Sequence, residues 1–181
     1  MEVVIILIII GIIGYLIYQS LPNTKFEKAQ GHFNAKNYVE AISVLNGIFD
    51  KHNDAPAKFA ECKLILGQGL KVNSEKLKAF NEILELRKRI NNTSAIAKFE
   101  NIEAKALFEI AKIQYEESNA DIDKLNQNLK FIDNANKKDL ETDFNTLRTK
   151  HFNQLSESYF RKAIGHEKSN KYPDAIQVYK K

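Results

Sequence analysis

The sequence has few cysteine, glycine and proline residues and only a small net charge. It has one cysteine among 181 residues, which excludes a disulfide within the chain. Its seven glycines and three prolines are too few for a low-complexity linker. The 27 basic and 23 acidic residues are interspersed and leave a net charge of only +4. Because no basic stripe with interleaved aromatic residues is present, we expect no nucleic-acid partner.

The residue patterns that carry catalysis or hold cofactors are also missing. The chain has four histidines, at His32, His52, His151 and His166. No two of them have the spacing of a metal site, and none belongs to a His-Glu-x-x-His motif. Residues 67–69 form a Gly-Gln-Gly segment that lacks the preceding strand and the following lysine of a phosphate-binding loop. We therefore expect no catalytic residues, no metal and no cofactor in this chain.

One long apolar run stands at the start of the chain. Residues 3–18 carry no charge and no strongly polar side chain. A helix of roughly 20 apolar residues is needed to cross about 30 Å of hydrocarbon, and a helix satisfies its own backbone in lipid. Residues 1–21 are therefore predicted to be a single transmembrane anchor, with residues 3–18 in the bilayer. A cleaved signal peptide, a buried core helix and a buried strand remain the alternatives. The first lacks a basic start and a small-residue cleavage site, and the run is longer than a usual strand.

The charges that flank the run predict its orientation. Lys25, Lys28 and Lys36 follow it, whereas no lysine or arginine precedes it. Because basic residues stay on the cytoplasmic side, we expect the soluble domain to be cytoplasmic and the protein to be single-pass. The single cysteine is compatible with a reducing compartment. The opposite orientation would instead give an anchored, chaperone-like protein outside the cytoplasm.

The remainder of the chain has the period of helices. Apolar residues recur at steps of three and four, as in Phe99, Ile102, Ala106 and Ile110. No clear period-two run occurs outside the first segment, so we predict an all-α fold. Turn-forming residues separate the helices at 53–56, 73–74, 91–94, 118–119 and 134–136.

Proline and a capping box indicate where helices start. The three prolines, Pro22, Pro56 and Pro173, all fall at predicted helix starts, where a missing N–H has no cost. Thr24 and Glu27 have the spacing of a capping box, which predicts the start of the first helix after the anchor.

A stretch of sequence near the start of the soluble part recurs at the end of the chain. Residues 28–32 read Lys-Ala-Gln-Gly-His, and residues 162–166 read Lys-Ala-Ile-Gly-His, 134 positions later. A tyrosine, an alanine and an isoleucine then follow at the same distances in both copies. The pattern is typical of a helical hairpin in which small residues let two helices cross closely and an aromatic residue packs just after the turn.

This pattern resembles the tetratricopeptide repeat family, whose helical hairpins are about 34 residues long. Residues 28–42 resemble the junction between the two helices of such a hairpin, and Gly67 and Ala79 have the spacing of Ala29 and Ala41. The resemblance is good over residues 24–52 and 160–181, fair over 55–90 and poor over 95–158. The positions that carry it are Ala29, Tyr38, Ala41, Gly67, Ala79, Ala163, Tyr172 and Ala175.

The resemblance implies that residues 22–181 form an α-solenoid of helical hairpins; a plain helical bundle is the alternative. It also implies a peptide-binding groove lined by the first helix of each hairpin. The candidate groove residues are Phe26, Gln30, Phe33, Asn34, Leu64 and Gln68. Family members that bind chaperones hold a C-terminal carboxylate with lysine and asparagine. Phe26 and Gln30 stand at those positions here, which argues against such a clamp.

These observations predict a membrane-anchored helical-repeat scaffold or adaptor that binds a protein or peptide partner. The alternative is a regulatory repeat arm of a larger sensor or enzyme whose catalytic part lies beyond residue 181. The last predicted helix carries Ala175, Ile176, Val178 and Tyr179 on a face that nothing covers. Because solenoids usually end in a polar capping helix, we expect the chain either to be incomplete at its C-terminus or to dock on a partner there.

Overall fold

A computed structural model describes residues 11–15, 17, 18, 21–135 and 139–180. Within those ranges the regular structure is helical throughout, without a strand, which confirms the all-α prediction. Residues 11–15, 17 and 18 are helical and exposed. The helices that follow are α1 (Pro22–Asn34), α2 (Tyr38–Asn46), α3 (Ala55–Gly69), α4 (Asn73–Leu86), a 3₁₀ turn (Arg87–Arg89), α5 (Thr93–Glu117), α6 (Ile122–Asn134), α7 (Glu141–Lys168) and α8 (Tyr172–Tyr179).

The predicted anchor, residues 1–21, lies mostly outside the described residues. No helix in the described part of the chain is both long enough and apolar enough to cross a bilayer. The anchor therefore stays a prediction of the sequence.

The helix starts follow the prolines closely. Pro22, Pro56 and Pro173 each lie at the first or second position of their helix, as predicted. The capping box at Thr24 is wrong, because α1 already begins at Pro22 and its N-cap, Leu21, makes no side-chain bond. Proline has a fixed φ suited to a first helical turn, so it starts the helix two residues before the threonine.

The chain divides into two compact units, Met1–Ile102 and Glu103–Lys181, and the division falls within α5. In the first unit, α1 packs on α2, α2 on α3 and α3 on α4. Its largest fully buried side chains are apolar, among them Leu45, Ile48, Phe80 and Ile83. Cys62 is buried with them, as its place on an apolar helical face predicted.

A glycine sets the distance between α3 and α4. A Cβ atom on Gly67 would lie 2.8 Å from Cε1 of Phe80 and 3.3 Å from Cβ of Ala79. The two helices therefore cross where the repeat pattern places its small residues, and only glycine fits at that point. Near this crossing, Lys63 Nζ of α3 donates to Glu82 Oε2 of α4 at 2.8 Å.

The second unit is built on longer helices, which lie mostly within residues 95–158, where the sequence resemblance is poor. Helix α5 has 25 residues and α7 has 28. Ala111, Ile132, Phe144 and Leu147 form the buried cluster that joins α5, α6 and α7. The ring of Phe108 meets that of Phe144 edge to face, with centroids 5.3 Å apart. Helix α8 packs on α7.

The two copies of the sequence repeat fold into the same turn. In the first copy the N–H of Asn37 donates to His32 O, and the N–H of Lys36 donates to Phe33 O, both at 2.9 Å. Residues 166–171 make the same pair of bonds 134 positions later, at 2.8 and 2.9 Å. This is the Schellman pattern, and its left-handed residue is Lys36 (φ 61°) in one copy and Asn170 (φ 57°) in the other.

Both hairpins bury a small residue on each of their two helices. Ala29 of α1 and Ala41 of α2 are fully buried, and so are their counterparts Ala163 of α7 and Ala175 of α8. Tyr38 is half-buried, with its ring 5.4 Å from that of Phe33. Its counterpart, Tyr172, is exposed and donates from its hydroxyl to Asn170 Oδ1 at 3.1 Å.

Candidate functional site

Three helices of the first unit line one hollow of about 310 Å³. Helices α1 and α3 are the first members of the hairpins α1/α2 and α3/α4, and α5 is the next helix along the chain. The lining residues are Phe26, Gln30, Asp54, Ala57, Lys58, Glu61, Lys98, Asn101 and Ile102.

Each helix contributes to the hollow from a single turn of its surface. Phe26 and Gln30 are four residues apart on α1, as are Ala57 and Glu61 on α3, and Lys98 and Ile102 on α5. Residues at this spacing lie one above the other on the same helix face. The hollow is therefore bounded by one short stripe from each of three helices.

Phe26 forms an ordered apolar wall. Its ring stacks on the imidazole of His52, with centroids 4.1 Å apart and planes inclined by 14°. The orientation of that imidazole is set in turn, because His52 Nδ1 accepts a hydrogen bond from the N–H of Asp54 at 3.2 Å. The loop before α3 thus fixes the aromatic side of the site.

The charges around the hollow are paired. Lys58 Nζ donates to Glu61 Oε2 at 2.7 Å and lies 4.0 Å from the ring centroid of Phe33. The ammonium of Lys98 pairs with the carboxylate of Asp54. Two ammonium groups and two carboxylates therefore balance, and the site has no excess charge that would select an ionic ligand. Its recognition chemistry is apolar contact with Phe26 and hydrogen bonding by amides.

The structure brings together some of the six candidate groove residues. Phe26 and Gln30 line the hollow, and Phe33 borders it through its contact with Lys58. Asn34 is exposed at the end of α1 and is not a lining residue. On α3, Leu64 is buried in the core and Gln68 is exposed, and neither is a lining residue.

Sequence reasoning missed the contributions of α3 and α5 to this site. The three-residue spacing of Lys58 and Glu61 is a detectable signal, because such pairs meet on a helix surface. Lys98, Asn101 and Ile102 gave no sequence signal of a binding site, since they lie in the segment where the family resemblance is poor. Only the fold brings Lys98 to Asp54, across 44 residues of chain.

A larger hollow of about 400 Å³ in the first unit is a weaker candidate. It lies between the loop before α3 and the loop before α5, and includes Phe49, His52 and Asn92. Its polar groups already serve the fold, because Asn92 Oδ1 accepts from the N–H of Ser94 at 2.8 Å at the start of α5. None of the predicted groove residues lines it.

Searches for related proteins add no further assignment. No family model, no curated protein and no solved structure matches this chain. In the described part of the chain, no group of three or more histidine, cysteine, aspartate or glutamate residues is placed to hold a metal ion.

Proposed function

We propose that this protein is a membrane-anchored adaptor of the tetratricopeptide-repeat kind, which holds a segment of a partner protein in the hollow lined by α1, α3 and α5. The observation that carries the proposal is the lining itself. First helices of consecutive hairpins present their side chains to one hollow. That is the arrangement by which the resembled family binds peptides.

The chemistry of the lining suits an uncharged stretch of polypeptide. Phe26, Ala57 and Ile102 offer apolar surface to a side chain of the ligand. Gln30 is exposed at the same site, and its amide both donates and accepts hydrogen bonds, as a peptide backbone requires. The charges of the lining cancel in pairs, so an uncharged ligand meets no net charge there, and we expect salt to have little effect on its affinity.

The anchor is the second part of the proposal. Residues 3–18 would hold the protein in the bilayer, and the lysines that follow would keep the helical units in the cytoplasm. In this arrangement the hollow captures a cytoplasmic partner and concentrates it at the membrane.

The groove is tested by photo-crosslinking in cells. A photoreactive residue at position 30 should capture one defined protein, and the same residue at position 40, exposed on α2, should not. When isolated membranes are irradiated in about 1 M salt, where the Debye length falls to about 3 Å, position 30 should still capture the same protein. Equal capture from both positions, or loss of capture when salt is present before irradiation, would contradict the proposed groove.

The anchor is tested separately by membrane fractionation. The intact chain should stay with membranes after an alkaline carbonate wash. Recovery of the intact chain in the supernatant would refute the anchor without touching the evidence for the groove.

A further inference from the structure

The loop before α3 lies at the end of the first unit where the predicted anchor ends. A short turn joins α1 to α2, so α2 brings the chain back toward the start of α1. The stacking of His52 on Phe26 shows this return, with ring centroids 4.1 Å apart. Phe26 follows Leu21 by five residues, which is about 7.5 Å along a helix. Residues 47–54 are therefore close to the point where the chain leaves the anchor.

The loop before α5 joins the same end of the first unit. The guanidinium carbon of Arg89 lies 4.4 Å from the ring centroid of Phe49, which follows α2. Residues 49–53 and 90–92 also border the hollow of about 400 Å³ together. The two loops thus form one surface, here called the basic end, whose cationic residues are Lys51, Arg87, Lys88 and Arg89.

The basic end carries positive charge that the fold leaves in excess. Lys51 and Arg89 are exposed, and neither forms an ion pair with another described residue. Lys88 Nζ does pair with Glu85 Oε2, at 2.6 Å, and Asp50 offsets part of the remaining charge. The charges around the hollow of α1, α3 and α5 balance, whereas the basic end keeps a surplus of cations.

We propose that the basic end binds the anionic lipid headgroups of the bilayer that holds the anchor, so that the first unit rests on the membrane by this end. Guanidinium and ammonium groups donate charge-assisted hydrogen bonds to phosphate and carboxylate oxygens, which such headgroups present. The attraction of an anionic leaflet for lysine and arginine extends over about one Debye length, about 8–10 Å at physiological salt. The inference rests on the proposed anchor, because the anchor places Leu21 at the lipid surface.

Quenching by lipid tests the contact in the full-length chain. Asn91→Cys, an exposed position of the second loop, carries a fluorophore, and the buried Cys62 stays unlabelled. The chain is placed in nanodiscs that contain a headgroup-attached quencher, made of phosphatidylcholine alone or of phosphatidylcholine with phosphatidylserine. Phosphatidylserine should increase the quenching about twofold, and about 1 M salt should abolish that increase. Equal quenching in the two lipid compositions would overturn the proposal.

Two variants that lose the same charge separate the basic end from the rest of the surface. The variant K51Q/R89Q should lose the increase in quenching caused by phosphatidylserine. The control K36Q/K71Q should keep it, because both of its exposed lysines lie in turns at the opposite end of the hairpins. An equal loss in the control would overturn the proposal, since total charge would then be the cause.

Failure of the anchor and failure of the basic end give different results. If K51Q/R89Q loses helicity in circular dichroism, the salt dependence of the unsubstituted chain decides the proposal. A chain that leaves nanodiscs of phosphatidylcholine would refute the anchor alone. The basic end would then be tested by sedimentation with phosphatidylserine vesicles, which should carry the chain down at low salt and release it at high salt. No sedimentation at low salt would overturn the proposal.

Discussion

The cores of the two units differ in how many buried polar residues they contain. The buried polar residues identified in the described ranges, Ser118, Asn128 and His151, all lie in the second unit. The first unit closes over apolar rings and branched side chains such as Phe80 and Ile83. The comparison shows that one unit depends mainly on packing, whereas the other also depends on internal hydrogen bonds and on the protonation state of a histidine.

His151 is one of these buried polar residues. Its Nδ1 lies 2.9 Å from Leu147 O, and its ring is 4.7 Å from that of Tyr115. Its Nε2 has no hydrogen-bond partner among the described residues. Burial, which disfavours the charged ring, lowers the pKa of His151, and the hydrogen bond to Leu147 opposes that shift only in part.

The largest expected effects come from removing a buried ring from either core. Phe80→Ala and Phe144→Ala should each lower the free energy of unfolding by about 3–5 kcal/mol. Cys62 reports on the first unit, because burial raises the pKa of its thiol to about 11 and blocks alkylation. Phe80→Ala should therefore accelerate labelling of Cys62 far more than Phe144→Ala does. Equal acceleration would mean that the two units unfold as one.

Two helical glycines, one at a helix crossing and one in open space, should respond to an added methyl group with opposite signs. Gly67→Ala should destabilise the first unit by about 1–3 kcal/mol, because its Cβ would overlap the buried ring of Phe80. Gly165→Ala should stabilise α7 by about 0.5–1 kcal/mol, since among the described residues nothing beyond the helix's own nearby backbone lies within 4 Å of the new Cβ. Denaturant unfolding measures both changes. A stabilising Gly67→Ala would show that α3 and α4 can separate without cost.

Acid should weaken the second unit before it weakens the first. Because the pKa of His151 is lower in the folded state than its ordinary 6.5, the unfolded chain binds the additional proton. Stability is then complete above about pH 6.5 and falls as the pH decreases below it. Hydrogen exchange of residues 147–155 at pH 7 and pH 5 measures the loss. His151→Phe should remove this pH dependence, His32→Gln should retain it, and persistence in His151→Phe would assign it to another group.

Removal of exposed ion pairs should have the smallest effects, and equal ones in the two units. Glu82→Gln breaks the pair with Lys63 between α3 and α4, and Asp133→Asn breaks the pair with Arg148 between α6 and α7. Exposed pairs contribute about 0.2–1 kcal/mol, so each variant should lose no more than that in thermal unfolding. A larger loss for one variant would identify a pair that orients its helices.

Local patterns predicted the helices and the contacts within a hairpin, such as that of Gly67 with Ala79, but they could not predict which hairpins meet at the hollow. Phe99, Ile102, Ala106 and Ile110 are all buried, and the three- and four-residue steps between them already place them on one face of a helix. The starts of α3 and α5 could also be predicted, since Pro56 and Asn92 act on the backbone beside them. The missed parts are long-range.

Burial of the candidate groove residues illustrates the same limit. Leu64 and Gln68 are one turn apart on α3, yet Leu64 is buried and neither lines the hollow. Their positions on the helix could be predicted, but the direction of that face depends on how α3 packs against its neighbours. The burial of His151 likewise has no local signal, because it depends on the packing of α7 against Tyr115 of α5.

The matching turns at Lys36 and Asn170 have a consequence for protein engineering. Both turns end their first helix with the same bonds and tolerate a side chain in the left-handed region, where lysine is strained more than asparagine. The two turns therefore share one backbone geometry. We expect a chimaera that exchanges residues 28–42 and 162–176 to keep both turns while it moves the side chains of one hairpin into the other.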